Sequence, residues 1–437
     1  MSKKVVLGMF AVVLVLTLLF SLTACGEKKV PAPDEAKQTE PSQKEVVINF
    51  PSIWVGKDSK ANVFGSFVKE FNEKNAGKIK VVVEEMADYQ AYRDKMKTNI
   101  AAGTVPDVFS FNNAKDSVLY YKSGNLMDLT PHMNGGWKED FIADALKEVT
   151  YQDKIMAMPY EFAVTPLMYN KRLLDKAGVA EFPKTMDAFI EMAEKLKGQG
   201  VMAASQMTGE NGWFSMLWYS HLLVAHGGPD VFDRGLDDPA FLEAAKSLKK
   251  LFQYTTGDAV GAGAAVAGGH FLSEKTAILV NGPWFIGRIE KEAAEGMYEQ
   301  VNVAPAPTVA GGKGKQGYYV GFIQSSLAAA KQKDKAKEDA VAAFFKYIST
   351  PENVKRLSLD SGSLFVIKFK TDENDKMSHI QKQMIEQSSS APSITKHFNA
   401  AMDTAVVTEF PQALSGMILG EFTPEQFVEQ LKQKAAQ

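Results

Sequence analysis

From Glu45 to Phe111 short β-rich runs alternate with stretches of helical spacing, and this alternation limits the fold more than any other feature of the chain. The run EVVINFPSIWV has the β-branched content of a strand, and Val63, Phe64, Phe67, Val68 and Phe71 then recur at helical intervals. A second strand at Ile79 to Val83 is followed by helical spacing from Tyr89 to Ala102, stopped by Gly103, and Pro106 to Phe111 supplies a third strand. Strand, helix, strand, helix predicts an α/β fold in which helices cover a parallel sheet. Ligands of such sheets sit beyond the carboxyl ends of the strands, so the loops after Phe50 and Phe111 belong to a prospective cleft wall. With 437 residues, 45% of them hydrophobic and 23% charged, the chain has material for two domains or more.

The stretch Pro159 to Gly178, PYEFAVTPLMYNKRLLDKAG, marks a change of structure. Pro159 has no N–H and is expected to stop the pairing before it, Val164 to Tyr169 reads as one buried strand, and a helix begins near Lys171. Thr185 is the expected N-cap of a helix from Met186, and Pro239 to Tyr254 reads as an amphipathic helix. Ala259 to Gly269 reads as a low-complexity loop, and Thr276 to Val280 as a buried strand that leads into Asn281-Gly282-Pro283-Trp284. Val301 to Pro307 and Leu364 to Phe369 are two further β-rich connectors, and from Met377 onward the chain reads as helix broken near Pro392 and Pro411.

At the N-terminus Lys3 and Lys4 precede an apolar run from Val5 to Phe20 that ends in small residues, the pattern of an export signal. Leu22-Thr23-Ala24-Cys25 resembles the lipobox of bacterial lipoproteins, in which the cysteine is acylated. Residues 1–24 are therefore read as a lipoprotein signal peptide, and 25–45, rich in Lys, Glu, Pro and Gln, as a flexible, lipid-anchored linker. Cys25 is the only cysteine, which excludes a disulfide, a thiolate metal site and a cysteine nucleophile from the rest of the chain. A net charge of −3 without a basic, aromatic-studded stripe argues against nucleic acid as a partner.

Taken in order, several of these segments match a known family. The lipobox, Pro159 ahead of Leu167-Met168-Tyr169-Asn170-Lys171, the segment from Phe271 through Ala277-Ile278-Leu279 to Gly282-Pro283-Trp284, and Phe344-Phe345-Lys346-Tyr347-Ile348 before Thr350-Pro351-Glu352 together resemble the extracellular solute-binding proteins of bacterial ABC importers, of the maltose and oligosaccharide type. The resemblance implies a maltose-binding-protein-like, two-lobed periplasmic-binding-protein fold with the ligand in the interlobe cleft. It places one lobe at 46–158 and 306–363 and the other at 163–304 and 364–437, with crossings near 159–163, 303–307 and 362–366. Ser363-Leu364-Phe365-Val366 stands where many relatives have a proline after the glycine, so the third crossing departs from the family pattern. The resemblance further implies a lipid-anchored monomer on the extracytoplasmic side of the cell membrane that captures a carbohydrate, needs no cofactor or metal, and serves an ABC permease.

A sugar offers flat C–H faces and a rim of hydroxyls, so its site needs aromatic faces and planar polar groups. Trp54 after the first strand, Trp213 after Thr208-Gly209-Glu210-Asn211-Gly212, and Trp284 after a buried strand are the stacking candidates. Tyr160 and Glu161 follow Pro159 and are expected to face the cleft, Asn112 and Asn113 follow the third strand, and Tyr319, with Phe322 beside it, and Phe410 complete the set. An enzyme is disfavoured: the six histidines form no metal-ligand motif, and neither a Gly-x-Ser-x-Gly elbow nor a Walker loop is present.

Overall fold

The computed structural model describes residues 44–112, 117–372 and 374–436. The signal peptide, Cys25 and almost all of the linker lie outside the described residues, as does Asn113.

The first half of the alternation folds as its spacing dictates. Strands β1 (Val46–Ser52) and β2 (Ile79–Glu85) pair in parallel. The helix between them, Ala61–Lys74, turns Phe64, Phe67, Val68 and Phe71 inward at helical spacing. Those rings meet Ile48 and Phe50 of β1, and Val341, Phe344, Phe345 and Ile348 from the helix Lys335–Ile348, in one apolar core. Asp334 caps that helix by accepting the N–H of Ala336, and Thr350 caps the next, Pro351–Ser361, by accepting that of Asn353. Strand β3 (Val108–Phe111) and a small hairpin of β4 (Thr150–Tyr151) and β5 (Lys154–Ile155) complete this lobe.

A second core forms around the sheet β10-β7-β9-β8, whose strands are β7 (Leu167–Asn170), β8 (Met202–Ala204), β9 (Thr276–Val280) and β10 (Val301–Ala304). Helices Met186–Gly198, Trp213–Gly227, Pro239–Leu251, Thr404–Leu419 and Pro424–Ala435 bury Phe189, Trp218, Tyr219, Phe241, Phe410 and Phe427 there.

Between the two cores run β6 (Met158–Val164) and the 12-residue β11 (Tyr318–Ala329), paired antiparallel from Gly321↔Val164 to Leu327↔Met158. β11 begins beside β13 (Ser393–Thr395) and ends beside β3, while the short β12 (Leu364–Phe365) lies on the outer side of β6.

Several expectations are corrected. Pro159 sits inside β6 and does not end a strand, because its partner β11 shifts register between Ser325 and Ser326, and the irregularity accommodates a residue with no N–H to give. The single strand expected from Val164 to Tyr169 is split at Thr165-Pro166 into β6 and β7. Residues 303–307 do not cross: Ala304 is still paired with Leu167 of β7, Ala306 packs on the second core, and Lys313 and Gly314 donate to the carbonyls of His226 and Ala225. The chain returns to the first lobe along β11. Residues Phe365 to Ile367, expected in the second lobe, are instead buried in the first core. The expected loop at Ala259 to Gly269 is in part the helix Ala264–Leu272, where the missing side chain of Gly268 lets the Phe285 ring approach; a Cβ there would be 3.2 Å from it. Pro411 lies within the helix Thr404–Leu419 and packs under Gly212.

Candidate ligand site

Two tryptophans meet at the carboxyl ends of parallel strands. β8 and β9 run side by side, and Asn281-Gly282-Pro283-Trp284 follows β9 directly. Gln206 follows β8, and the loop from Gly209, turned by Gly212 at φ +61°, delivers Trp213 to the first residue of a helix. The Trp213 and Trp284 rings, both half-buried, have centroids 5.9 Å apart at 49°. The Trp284 indole leans over the bare Cα of Gly282 and also touches the cluster of Ala163 on β6, Phe322 on β11 and Ala400. Phe322 meets the His397 ring at 3.9 Å between centroids. Burial holds the His397 imidazole down to about 3, so it is neutral at ordinary pH. Its Nδ1 accepts the N–H of Asn399, which leaves the ring proton on Nε2.

The two lobes also meet away from the tryptophans. A pocket there is lined by Ile53, Tyr89, Arg93, Phe111 and Asn112 from the first lobe and by Asn399 from the second. Tyr89 donates from its hydroxyl to Asn112 Oδ1 at 2.7 Å, and Arg93 lies over the Tyr89 ring.

Elsewhere between the lobes, charge is already matched. Lys60 and Glu161, each about 2% exposed at the side chain, pair at 3.4 Å, and Asp58 stands 3.3 Å from Lys60. Burial raises the Glu161 carboxyl above its ordinary range despite the neighbouring ammonium. Burial also opposes the charge on Lys60, but Asp58 and Glu161 outweigh it and raise the amine. The helix Ile286–Glu292 of the second lobe packs beside the neighbouring residues, with Gly287 against Ser59 and Ile286 against Gly362.

Of the residues singled out in the sequence, the structure brings Trp213 and Trp284 together and places Asn112 in a pocket with Asn399. Three others are core residues and a fourth lies at a different pocket, which corrects the expectation for each. Trp54 is 2% exposed and packs against Phe64, Phe50 and Tyr160, because the chain after β1 turns inward. Tyr160 alternates into the first core and donates to the Ile348 carbonyl at 2.8 Å. Phe410 is enclosed by Tyr219, Phe398 and Phe427. Tyr319 bonds Gln387 and lines a separate surface pocket with Phe182, Pro305 and Pro392. Glu161 lies between the lobes as expected, but its carboxylate is committed to Lys60. His397 and Asn399 went unnoticed because Met377 onward reads as helix; the signal was Ser393-Ile394-Thr395 after Pro392, a β-rich run that forms β13. A metal-ligand grouping also escaped the sequence: His132, Glu338 and Asp339 lie within 4.8 Å of one another although 206 residues separate the first two, and Lys335 already bridges the two carboxylates.

Comparisons with known proteins agree with this architecture. A maltotriose-binding protein of Pyrococcus abyssi is 27% identical over 315 residues, which is 70% of this chain and 63% of that protein. The diacetylchitobiose binding protein DasA of Streptomyces coelicolor is 25% identical over 206 residues, 46% of each chain. The chain thus spans less than two thirds of the length of either relative. Among solved structures, a chitin oligosaccharide binding protein superposes with a TM-score of 0.82 at 24% identity, covering 90% of this chain and 98% of the other. A maltose-bound T. maritima MalE3 does so at 0.75 and 20%, covering 90% and 99%. These likenesses show the two-lobed, maltose-binding-protein-like fold. The family described as bacterial extracellular solute-binding protein matches residues 66–369, about 70% of the sequence, and this chain belongs to that family.

Proposed function

We propose that this protein captures an oligosaccharide in the interlobe cleft and delivers it to an ABC permease, held at the outer face of the cell membrane by a lipid on Cys25. The observation that carries the reading is the half-buried Trp213–Trp284 pair at the carboxyl ends of β8 and β9, with Asn281 and Gln206 following the same two strands. Aromatic faces beside neutral amides suit the C–H faces and hydroxyls of a sugar. The names of the maltotriose- and diacetylchitobiose-binding relatives point the same way. A polyamine, a metal chelate or a phosphate compound would call for charge not already matched, whereas Lys60–Glu161 and Arg288–Glu292 are paired. Ligand touching both lobes favours the closed state by its differential affinity, and the closed surface is what the permease reads.

Binding, not turnover, is the proposed activity. A thermal-shift screen of the full-length protein in detergent against mono- and oligosaccharides, with polyamines, metal chelates and phosphate compounds as controls, tests it. A sugar at about 100 times its Kd adds nearly 3 kcal/mol of stability. A response to a control ligand alone refutes the carbohydrate reading, and appearance of sugar products refutes the binder reading. Loss of membrane association and of palmitate labelling in Cys25→Ala tests the anchor.

A further inference from the structure

Buried side-chain amides normally find partners, so a group of them without any calls for a physical account. Gln206 Nε2, Asn211 Oδ1, Asn281 Nδ2 and Gln324 Oε1 are all buried and have no hydrogen-bond partner within the protein. Three of these residues sit on one edge of the second sheet. Gln206 comes two residues after β8, Asn281 directly after β9, and Asn211 two residues before Trp213. The other half of each of two amides is engaged. Asn281 Oδ1 accepts the N–H of Gly282 at 2.8 Å, and Gln206 Oε1 accepts the hydroxyl of Ser215, on the first turn of the Trp213 helix, at 2.7 Å. These bonds fix the amides and leave their N–H donors over. Gln324 lies on β11 at the irregularity between Ile323 and Ser325, two residues along from the Phe322 that shares a cluster with Trp284. Such an irregularity re-aims a side chain.

Resting on the carbohydrate reading above, we infer that Asn281 and Gln324 determine which sugar is held, Asn281 Nδ2 donating to one ligand hydroxyl and Gln324 Oε1 accepting from another, with Gln206 supporting from the β8 end. One group comes from the second lobe and the other from a strand shared between lobes, so a ligand that bonds both is held only in the closed form. The arrangement selects a neutral, hydroxyl-bearing ligand: none of the four amides carries charge. An orphan amide contributes nothing to the protein alone, so exchanging it for an apolar side chain of similar size leaves unliganded stability unchanged or higher while weakening binding.

The test measures Kd and unliganded melting temperature for wild type and Gln324→Met, using the sugar that wild type holds best and its monodeoxy analogues. Expected is a roughly tenfold weaker Kd for the parent sugar with no fall in melting temperature. One deoxy analogue should bind wild type about tenfold more weakly than the parent yet bind Gln324→Met no worse than the parent. Asn281→Leu should repeat the loss of affinity with a different deoxy position, but with a lowered melting temperature, because the Gly282 N–H loses its acceptor. An unchanged Kd and unchanged discrimination in Gln324→Met, or a lowered melting temperature with normal Kd, overturns the inference. If wild type binds no sugar at all, the failure belongs to the carbohydrate reading instead. Should Gln324→Met not fold, Gln324→Glu, whose carboxylate keeps an accepting oxygen in place of Oε1, must still separate parent from deoxy analogue for the inference to stand.

Discussion

Gly282→Ala should move the Trp284 indole without disturbing the backbone. Gly282 has φ −102° and ψ 179°, an extended conformation that alanine adopts freely. An added Cβ would stand 2.5 Å from Trp284 Cε3 and closer still to two other ring atoms, whereas ordinary contact begins at 3.4 Å. The ring must therefore shift by about 1 Å or more. Trp284 is half-buried and can rotate outward, so the cost in stability lies near the lower end of the roughly 1–3 kcal/mol of overpacking. The cost in binding is larger relative to what is at stake. One face of an indole is about a third of the roughly 200 Å² that a tryptophan can bury. At about 25 cal/mol per Å² that face is worth roughly 1.5 kcal/mol, about a factor of ten in Kd. A displacement of about 1 Å forfeits up to half of the contact, so Gly282→Ala should weaken binding by up to about threefold. Titration calorimetry, with tryptophan fluorescence as a second readout, would measure it. The decisive comparison is a double-mutant cycle with Trp284→Ala: once the indole is gone, the extra methyl should no longer matter. If Gly282→Ala binds like wild type, or costs as much in the Trp284→Ala background, the ring over Gly282 is not what holds the ligand.

Trp54→Ala should cost roughly 3–5 kcal/mol in urea unfolding while leaving Kd of the folded fraction unchanged, since the ring is core; a selective loss of affinity would contradict that placement. Lys60→Met alone strands a buried carboxylate and should destabilise by about 3–5 kcal/mol, whereas the double variant Lys60→Met/Glu161→Leu should recover most of it; equal losses would rule out the buried pair. Burial holds His221 at about 4 and His397 at about 3, against an ordinary 6.5. Below pH 6.5 the unfolded chain takes up protons that the folded one refuses, so stability is complete above 6.5 and falls toward pH 4, by up to about 1.4 kcal/mol per pH unit for each histidine. Urea midpoints between pH 7.5 and 5 that stay flat, or that do not flatten in part in His397→Gln, would go against it.

The sequence disclosed elements more readily than their assembly. Phe64, Phe67, Val68 and Phe71 announced their helix because a buried face repeats at helical spacing, and Thr185 announced its helix because a hydroxyl there satisfies the Ala188 N–H. Family segments carried the two-lobed fold. What stayed hidden was decided between distant segments. Nothing local to Trp54 distinguishes a stacking ring from one enclosed by Phe50, Phe64 and Tyr160, and nothing near Glu161 foretells a lysine 101 residues earlier. The crossing through residues 303–307 was misplaced because VNVAPAP looks like a boundary, while the pairing of Val301 to Ala304 with β7 is a long-range fact. Trp213 and Trp284 were both visible as candidates; that they meet was not.

The way the chain weaves between its two cores also bears on how it is made. The first core joins Ile48 to Ile367, and the second joins Leu167 to Leu431. Neither is a contiguous piece of the polypeptide, so neither can close while the ribosome has released only its own first segment. The first lobe must wait for the strand and helices between Tyr318 and Ile367, and the second for the last helix of the chain. Contacts of such sequence separation fold slowly, because the intervening loops have to be closed before burial rewards them. A chain built this way stays unfolded until nearly all of it is present, which is the state in which a polypeptide can be threaded across a membrane.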